Sequence, residues 1–310
     1  MRLALMIEGQ EGVSWDEWIA LAAACERHGV EALFRSDHYL SQADPARKQA
    51  LDAWTTLAGL AARTSTLRLG TLVSPVTFRQ PAVLANAAAT VDQISGGRVE
   101  LGIGGGWMLA EHESFGFPFP ETRVRMAMLL EQIEIVHRLW KDEAVDFAGE
   151  HYRLAYAPGL PKPVQRPHPN LIVGGHGGRG TARAAARWAD EYNTPFVAPD
   201  EFAAIRTRVC ETCEREGRDP DALTFSLMTG CLIGEERARR LYAARPRDDD
   251  FETWRAGYAE RSLVGSLDDV AARIREYEAA GCERIMLQHL LHDDVEAVRE
   301  IGRELAPSVA

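Results

Sequence analysis

Two adjacent polar residues, Asp37 and His38, follow the short apolar run 32–35, which predicts a β-strand. Histidine gains or loses a proton near neutral pH, so it can act as a general acid or base, and a neighbouring carboxylate can orient it or bind a ligand. The same pair could instead only form turn and capping hydrogen bonds in a loop. Which interpretation holds depends on the elements that position the pair.

Glycine clusters follow two further predicted strands, and glycine lets a backbone approach a flat ligand closely. The first follows the apolar segment 99–103 and the second follows the segment 170–173. The clusters consist of Gly102, Gly104, Gly105 and Gly106, and of Gly174, Gly175, Gly177 and Gly178. The second cluster leads into a predicted helix beginning near Thr181, so its free amides, with Arg179 nearby, predict an anion site, with a plain turn as the alternative.

The segment from Leu69 to Trp107 shows how these residues come together. It predicts a strand that ends at Ser74-Pro75, a helix from Pro81 to Gly96, and a second strand that runs into Gly104. Such a unit is parallel and right-handed, so both strands end on the same face of the sheet. Eight strand–helix steps run through residues 1–310. They predict a single (β/α)8 TIM barrel domain with its site at the carboxyl ends of the strands.

Residues 141–169 interrupt the alternation before the fifth barrel strand. Two short β-rich runs around Gly149 predict a hairpin, and a proline-rich tract follows up to Pro169. A proline-rich tract of this length does not belong in a packed layer, so we expect an insertion within the barrel domain. The charged segment 235–261 predicts a helical excursion at the surface.

Charge and composition restrict the partners. Lys and Arg number 35 against 46 Asp and Glu, a net charge of −11, which disfavours nucleic acid and anionic membranes. No apolar run approaches the length of a membrane span and the first residues lack a signal-peptide pattern, so we expect a cytoplasmic protein. Five scattered cysteines do not indicate a disulfide framework. Cys210 and Cys213 form a Cys-x-x-Cys within a predicted helix without a second ligand pair, so we expect no zinc or redox role.

Two further histidines, His176 and His289, also follow predicted strands, where they would line the pocket. A metal site formed by them with His38 is disfavoured, because the first strand has no His-x-His and no paired carboxylates accompany the three. Neither a Gly-x-Ser-x-Gly elbow nor a Walker loop is present. These residues therefore disfavour metal-dependent hydrolysis.

Six segments, in order along nearly the whole chain, resemble the bacterial luciferase-like superfamily, and most closely its flavin- or coenzyme F420-dependent oxidoreductases of actinobacterial type. They are SDHY (36–39), LGTLVSPVTFRQP (69–81), SGGRVELGIGGGW (95–107), FGFPFPETRVR (115–125), PKPVQRPHPNLIVGGHG (161–177) and VGSLDDVAARIREYEAAG (264–281). The resemblance implies a (β/α)8 barrel whose cofactor ring lies at the carboxyl face, on the end of the third strand.

Residue by residue, the resemblance implies roles for matching positions. His38 would be the proton donor or acceptor near the reactive ring carbon. A non-prolyl cis peptide between Thr71 and Leu72 would back the ring. Contacts to the ring or its linker would come from Asp37, Ser74, Gly105 and Gly106, and the phosphate would be held by Gly174, Gly175, Gly177 and Gly178, beside Arg179.

The chain also departs from one group of relatives. F420-dependent glucose-6-phosphate dehydrogenases carry a catalytic glutamate at the position of Trp107 and an asparagine at Ala110, and neither is present here. We therefore expect an apolar or aromatic substrate near Trp107 and Phe115 instead of a sugar phosphate. Glu111 is close enough to substitute as the acid, although a carboxylate at a helix start, near the positive end of the dipole, is the favoured interpretation.

The resulting functional hypothesis is hydride transfer between coenzyme F420 and a small organic substrate, with His38 handling the proton. The alternative is an FMN-dependent monooxygenase that activates oxygen, and a third possibility is a non-catalytic flavin-binding barrel. The resemblance also implies a homodimer and a flavin or F420 reductase as a redox partner. The apolar helices 54–62 and 83–94 are interface candidates, with packing on the barrel alone as the alternative.

Overall fold

Eight parallel strands close into a barrel in the computed structural model, which describes residues 1–244 and 248–310. Each strand pairs in parallel with its neighbours, and the last pairs with both the first and the seventh, which closes the sheet. In chain order, counting strands outside the barrel, the barrel strands are β1 (Arg2–Ile7), β2 (Ala32–Arg35), β3 (Arg68–Pro75), β4 (Val99–Gly104), β7 (Asn170–Gly174), β8 (Glu191–Pro195), β9 (Thr224–Ile233) and β11 (Arg284–Gln288). The predicted TIM barrel is confirmed.

Helices surround the barrel and connect its strands. They are α1 (Trp15–His28), α2 (Ala53–Ala61), α3 (Pro81–Ser95), α4 (Leu109–Phe115), α5 (Thr122–Lys141), α6 (Arg179–Trp188), α7 (Pro199–Arg215), α8 (Glu235–Ala243), α9 (Phe251–Ala259), α10 (Leu267–Ala279), α11 (Val295–Glu300) and α12 (Ala306–Ser308). Residues 301–305, expected to continue one regular helix, form a π-helical turn between α11 and α12. None of the helices described is both long and apolar enough to cross a membrane.

Local sequence signals explain where the helices begin and end. Ser14 and Glu17 form a reciprocal capping box at the start of α1, which satisfies amides that have no partner within the helix. Gly29 and Gly96 end α1 and α3 in the left-handed conformation, with φ of 81° and 71°. These ends coincide with those predicted, because capping is encoded by neighbouring residues.

The insertion contains the expected hairpin, with strands β5 (Ala144–Ala148) and β6 (Arg153–Pro158) paired antiparallel. The proline-rich tract then lies against α3, where the buried Asp92 carboxylate accepts hydrogen bonds from the amides of Val164 and Gln165. A second excursion between β9 and α10 contains α8, α9 and the three-residue strand β10 (Leu263–Gly265), which pairs with β9.

The inside of the barrel is filled by an apolar cluster that includes Met6, Phe34 and Ile172. Val73 and Met228 pack on this cluster while remaining partly exposed. A closed barrel of eight strands is a packed core and not a channel. Any ligand must therefore bind above this apolar floor, at the ends of the strands.

Strand β3 carries an irregularity that the resemblance predicted one residue too early. The cis peptide joins Leu72 to Val73, not Thr71 to Leu72. Thr71 still pairs regularly with Leu101 of β4, and the register shifts only between Thr71 and Ser74. The regular ladder thus extends through residue 71, and the bulge includes Leu72 and Val73.

Candidate active site

His38 lies directly beyond β2 at the carboxyl end of the barrel and is paired with a buried carboxylate. Its Nδ1 is 2.7 Å from Oε2 of Glu111, which lies in the first turn of α4 and is fully buried. The other oxygen of Glu111 accepts hydrogen bonds from the amides of Tyr39 and Leu40. Glu111 is thus a helix-start carboxylate, as expected, but its side chain fixes His38 and the loop after β2.

The environment of His38 favours its protonated form. Burial alone lowers the pKa of this imidazole, but the hydrogen bond and charge of Glu111 act in the opposite direction and outweigh burial. Glu8 and Asp37 add smaller contributions of the same sign. The net result is a pKa above the ordinary value of 6.5.

Asp37 points into a different network. Its carboxylate accepts hydrogen bonds from Arg79 at 2.5 and 3.2 Å and from the Ser74 hydroxyl at 2.6 Å. Arg79 also bonds to Asp52 at 3.0 Å and to the Tyr39 hydroxyl at 2.9 Å. Asp37 and Ser74 therefore lie in contact with each other, and Asp37 is held by Arg79, whose role the sequence analysis missed.

An aromatic wall borders the mouth of the barrel. Trp107 lies edge-on to the His38 ring, with centroids 5.6 Å apart, and is 61% exposed. Phe115 is 51% exposed and packs with Tyr39 and Phe117. Such exposed, clustered rings are unusual in a monomer without a ligand to bind, so they suit a substrate with a flat apolar part.

Helix α4 is fixed on its other side by His112. The ring Nδ1 donates to the carbonyl of Met108 at 2.8 Å, since a carbonyl can only accept, and Nε2 lies 2.6 Å from the hydroxyl of Thr77. Thr77 belongs to the loop after β3. Adjacent residues of α4 thus bind two neighbouring loops of the barrel mouth.

The first glycine cluster packs on the β3 bulge. A Cβ at Gly102 would lie 2.2 Å from the Thr71 carbonyl oxygen, and one at Gly104 would lie 2.6 Å from Val73. These glycines are therefore required for strand packing, a reason that the sequence analysis did not give. Gly105 and Gly106 lie beyond the strand end and are partly exposed, with Gly106 at φ 74°.

The second cluster joins β7 to α6. Gly178 precedes the first turn of α6, which has no side-chain cap, and a Cβ there would meet nothing within 4 Å. The backbone amide of Gly177 already has a partner, because it donates a hydrogen bond to the Tyr192 hydroxyl at 2.7 Å. Arg179 is exposed beside this helix start. The turn has the features of an anion site: free amides, open space and a nearby cation.

The other two histidines predicted to line the pocket, His176 and His289, differ in their exposure. His176 is exposed within the second glycine cluster. His289 follows β11 and is buried, which lowers its pKa to about 4, and its Nε2 has no hydrogen-bond partner. Across residues 1–244 and 248–310, no three His, Cys, Asp or Glu side chains are arranged to hold a metal ion.

The charge at the mouth beside His38 is predominantly negative. Glu8, just after β1, accepts hydrogen bonds from the side-chain amides of Gln288 at 2.7 Å and Gln10 at 3.1 Å. It makes no ion pair with the cations described. Glu11 is paired with Lys48, and Asp37 with Arg79. The sequence analysis missed Glu8, although its position directly after an apolar strand was a usable signal.

These features fit a flat cofactor with a phosphate-bearing tail. Val73 and Met228 provide an apolar floor for a ring, and the uncapped start of α6 provides amides for a phosphate. His38 lies at the same mouth. A barrel with this combination at its carboxyl face is an enzyme that works with a bound organic cofactor.

Comparison with known proteins assigns the family. The luciferase-like monooxygenase family profile matches residues 2–284, and the chain belongs to this family. It is an oxidoreductase.

Its relatives include F420-dependent dehydrogenases and monooxygenases. The F420-dependent glucose-6-phosphate dehydrogenase of Segniliparus rotundus is 37% identical over 94% of this chain and 93% of its own. The pyrimidine monooxygenase RutA of Pseudomonas savastanoi is 29% identical over 83% and 78%. Among solved structures, the monooxygenase RslO1 of Streptomyces bottropensis superposes over both complete chains with a TM-score of 0.80 and 25% identity. An F420-dependent secondary alcohol dehydrogenase shares the fold, with a TM-score of 0.82 at 21% identity.

Proposed function

We propose that this protein is a coenzyme F420-dependent oxidoreductase that transfers a hydride between the deazaflavin and a small apolar or aromatic substrate. The observation that carries the proposal is the buried His38, with Nδ1 bound to Glu111 and Nε2 left for a ligand above an apolar floor. The F420-dependent relatives, which cover nearly the whole chain, support the choice of cofactor.

Particular residues would hold the cofactor. Val73 would support the ring, and the backbone at Gly105 and Gly106 would border it. The amides at Gly178 and the start of α6, with Arg179, would bind the phosphate. Thr71 and Leu72 would shape the strand below the ring, while Asp37 and Ser74, which hydrogen-bond to each other, would contact the ring or its linker. When bound, the deazaflavin supplies the hydride chemistry.

The chain itself contributes proton handling and exclusion of water. His38 Nε2 would give a proton to, or take one from, the substrate heteroatom while the hydride moves at the neighbouring carbon, so that one hydride and one proton, or two electrons and two protons in all, are exchanged. Trp107 and Phe115 would cover the substrate and exclude water from the reacting atoms.

The charges at the mouth favour a neutral substrate. Glu8 and Glu111 present negative charge near His38, and the cation Arg79 is bound by Asp37 and Asp52. A sugar phosphate would be repelled there, because like charges in a partly buried site cost free energy. Trp107 instead offers a ring for stacking.

A second candidate function is FMN-dependent oxygenation. The monooxygenase relatives, RutA and RslO1, favour it. In that case a flavin reductase would supply reduced FMN, whereas an F420-reducing enzyme would serve the first candidate. A cytoplasmic homodimer is a further part of the proposal, with α2 and α3 as interface candidates.

Titration of the apoprotein with F420 and with FMN, followed by fluorescence or calorimetry, tests the proposal. We expect micromolar or tighter F420 binding and little FMN binding. Arg179→Ala should weaken F420 binding several-fold, because it removes a cation from the phosphate site. Arg183→Ala is the matched control, since Arg183 lies on the same helix but pairs with Glu216. Preferential FMN binding would transfer the assignment to oxygenation.

A further inference from the structure

Glu111 is a fully buried carboxylate, and burying a carboxylate is costly unless its oxygens are well bonded. Among the residues described, its hydrogen-bond partners are the amides of Tyr39 and Leu40 and the His38 imidazole, with no arginine or lysine. A carboxylate with two amides and one imidazole is best satisfied when that imidazole is a donor. The geometry therefore links the charge of Glu111 to the state of His38.

The contact also selects one tautomer. A carboxylate accepts hydrogen bonds and does not donate them, so Nδ1 must carry the hydrogen that faces Oε2 of Glu111. In the neutral ring Nε2 is then unprotonated and can accept a proton; in the charged ring Nε2 carries the proton that can be donated. Either way, the reactive nitrogen is fixed as Nε2.

The other groups around His38 either also favour its protonated form or carry no charge. Glu8, beyond β1, and Asp37, in the chain before it, are negatively charged and favour imidazolium, although Asp37 is bound by Arg79. Trp107 contacts the ring edge-on and carries no charge. Of these groups, Glu111 alone hydrogen-bonds to the ring.

We propose that Glu111 is the positioning residue of His38: it fixes the imidazole with Nδ1 protonated, directs Nε2 to the substrate and stabilises the protonated ring. This role rests on the proposed function only where it concerns turnover. The link between the Glu111 carboxylate and the titration of His38 is a property of the protein without cofactor.

Histidine titration by NMR tests the link in the apoprotein. In the wild type we expect His38 to titrate above the ordinary histidine value of 6.5, a result that requires no variant to fold. In Glu111→Gln, which keeps the size of the side chain but removes its charge, the His38 pKa should fall. The ring nitrogen shifts should also report a mixture of tautomers instead of Nδ1–H alone.

Glu113→Gln is the matched control, because Glu113 lies exposed on the same helix. It should leave the His38 titration and the pH profile unchanged, whereas Glu111→Gln should lower kcat about tenfold or more and move the profile with the His38 pKa. An unchanged His38 pKa in Glu111→Gln, or a wild-type His38 that titrates below the ordinary value of 6.5, would overturn the proposal. If the titration shifts but His38→Ala retains full turnover, the positioning role in the apoprotein stands and the proposed function fails.

Discussion

Both ends of the barrel bury charged side chains, but they use them differently. At the amino end, Arg284 lies between Glu100 and Glu191, at 2.7 and 3.3 Å, and Arg68 and Asn170 also bind the Glu100 carboxylate. At the carboxyl end, the corresponding contact joins a carboxylate to a histidine, which keeps one ring nitrogen unbonded within the described structure. One end joins two carboxylates through a central cation, and the other leaves an imidazole nitrogen without a hydrogen-bond partner among the described residues.

The electrostatics of the two ends follow from this difference. Burial alone raises the pKa of Glu100, but Arg284 and Arg68 outweigh it and lower that pKa to about 2. Glu191 has a raised pKa, because burial and the charge of Glu100 together exceed the attraction of Arg284. At the carboxyl end the shift falls on His38, whose ordinary pKa of 6.5 lies near neutral pH.

The largest effect on stability should come from breaking the amino-end cluster. Arg284→Ala leaves two buried carboxylates without their central cation, and we expect a loss of about 3–5 kcal/mol in the free energy of unfolding, measured by urea denaturation. Arg68→Ala removes a partly exposed arginine from the same Glu100 and should cost about 1 kcal/mol or less. Equal losses in the two variants would contradict the central role of Arg284.

At the carboxyl end, the expected effect is on catalysis. His38→Ala should reduce kcat by about 100- to 10,000-fold, because a proton transfer loses its positioned group, while the Kd for F420 changes little. His28→Ala, on α1, serves as the control and should leave both quantities near the wild-type values. Parallel loss of turnover and cofactor affinity in His38→Ala would mean that His38 binds the cofactor instead of moving a proton.

The smallest effect is the pH dependence of stability, and it has opposite signs at the two ends. The pKa of Glu100 is lowered by folding, so its stabilising contribution is present above about pH 4.5 and is lost as the pH falls towards 2. The pKa of His38 is raised, so its contribution is complete below 6.5 and is lost as the pH rises through the folded value. Chemical denaturation between pH 5 and 9 should show the second decline in the wild type and a weaker one in Glu111→Gln. An identical decline in stability in both proteins would mean that Glu111 does not shift the pKa of His38.

The fold was largely predictable from the sequence, because caps, apolar periods and turn residues act over short distances. Gly29 and Gly96 end their helices where expected, and the eight strands followed from alternation. The functional partners were harder to predict, since Glu111 is 73 positions from His38 and Arg79 is 42 positions from Asp37. No local pattern indicates which carboxylate a buried imidazole will meet, and the role of Gly102 depends on a bulge in a neighbouring strand.

Helix α4 has buried residues that hold the neighbouring loops and exposed residues that are free to vary. Its inward residues, Glu111 and His112, hold two loops and His38, while Leu109 and Phe115 on the same seven-residue helix are about half exposed. Substitution at these outward positions can alter the surface of the helix without disturbing the contact between His38 and Glu111. The helix is therefore a natural place for a library that seeks new substrate specificity on an unchanged reaction.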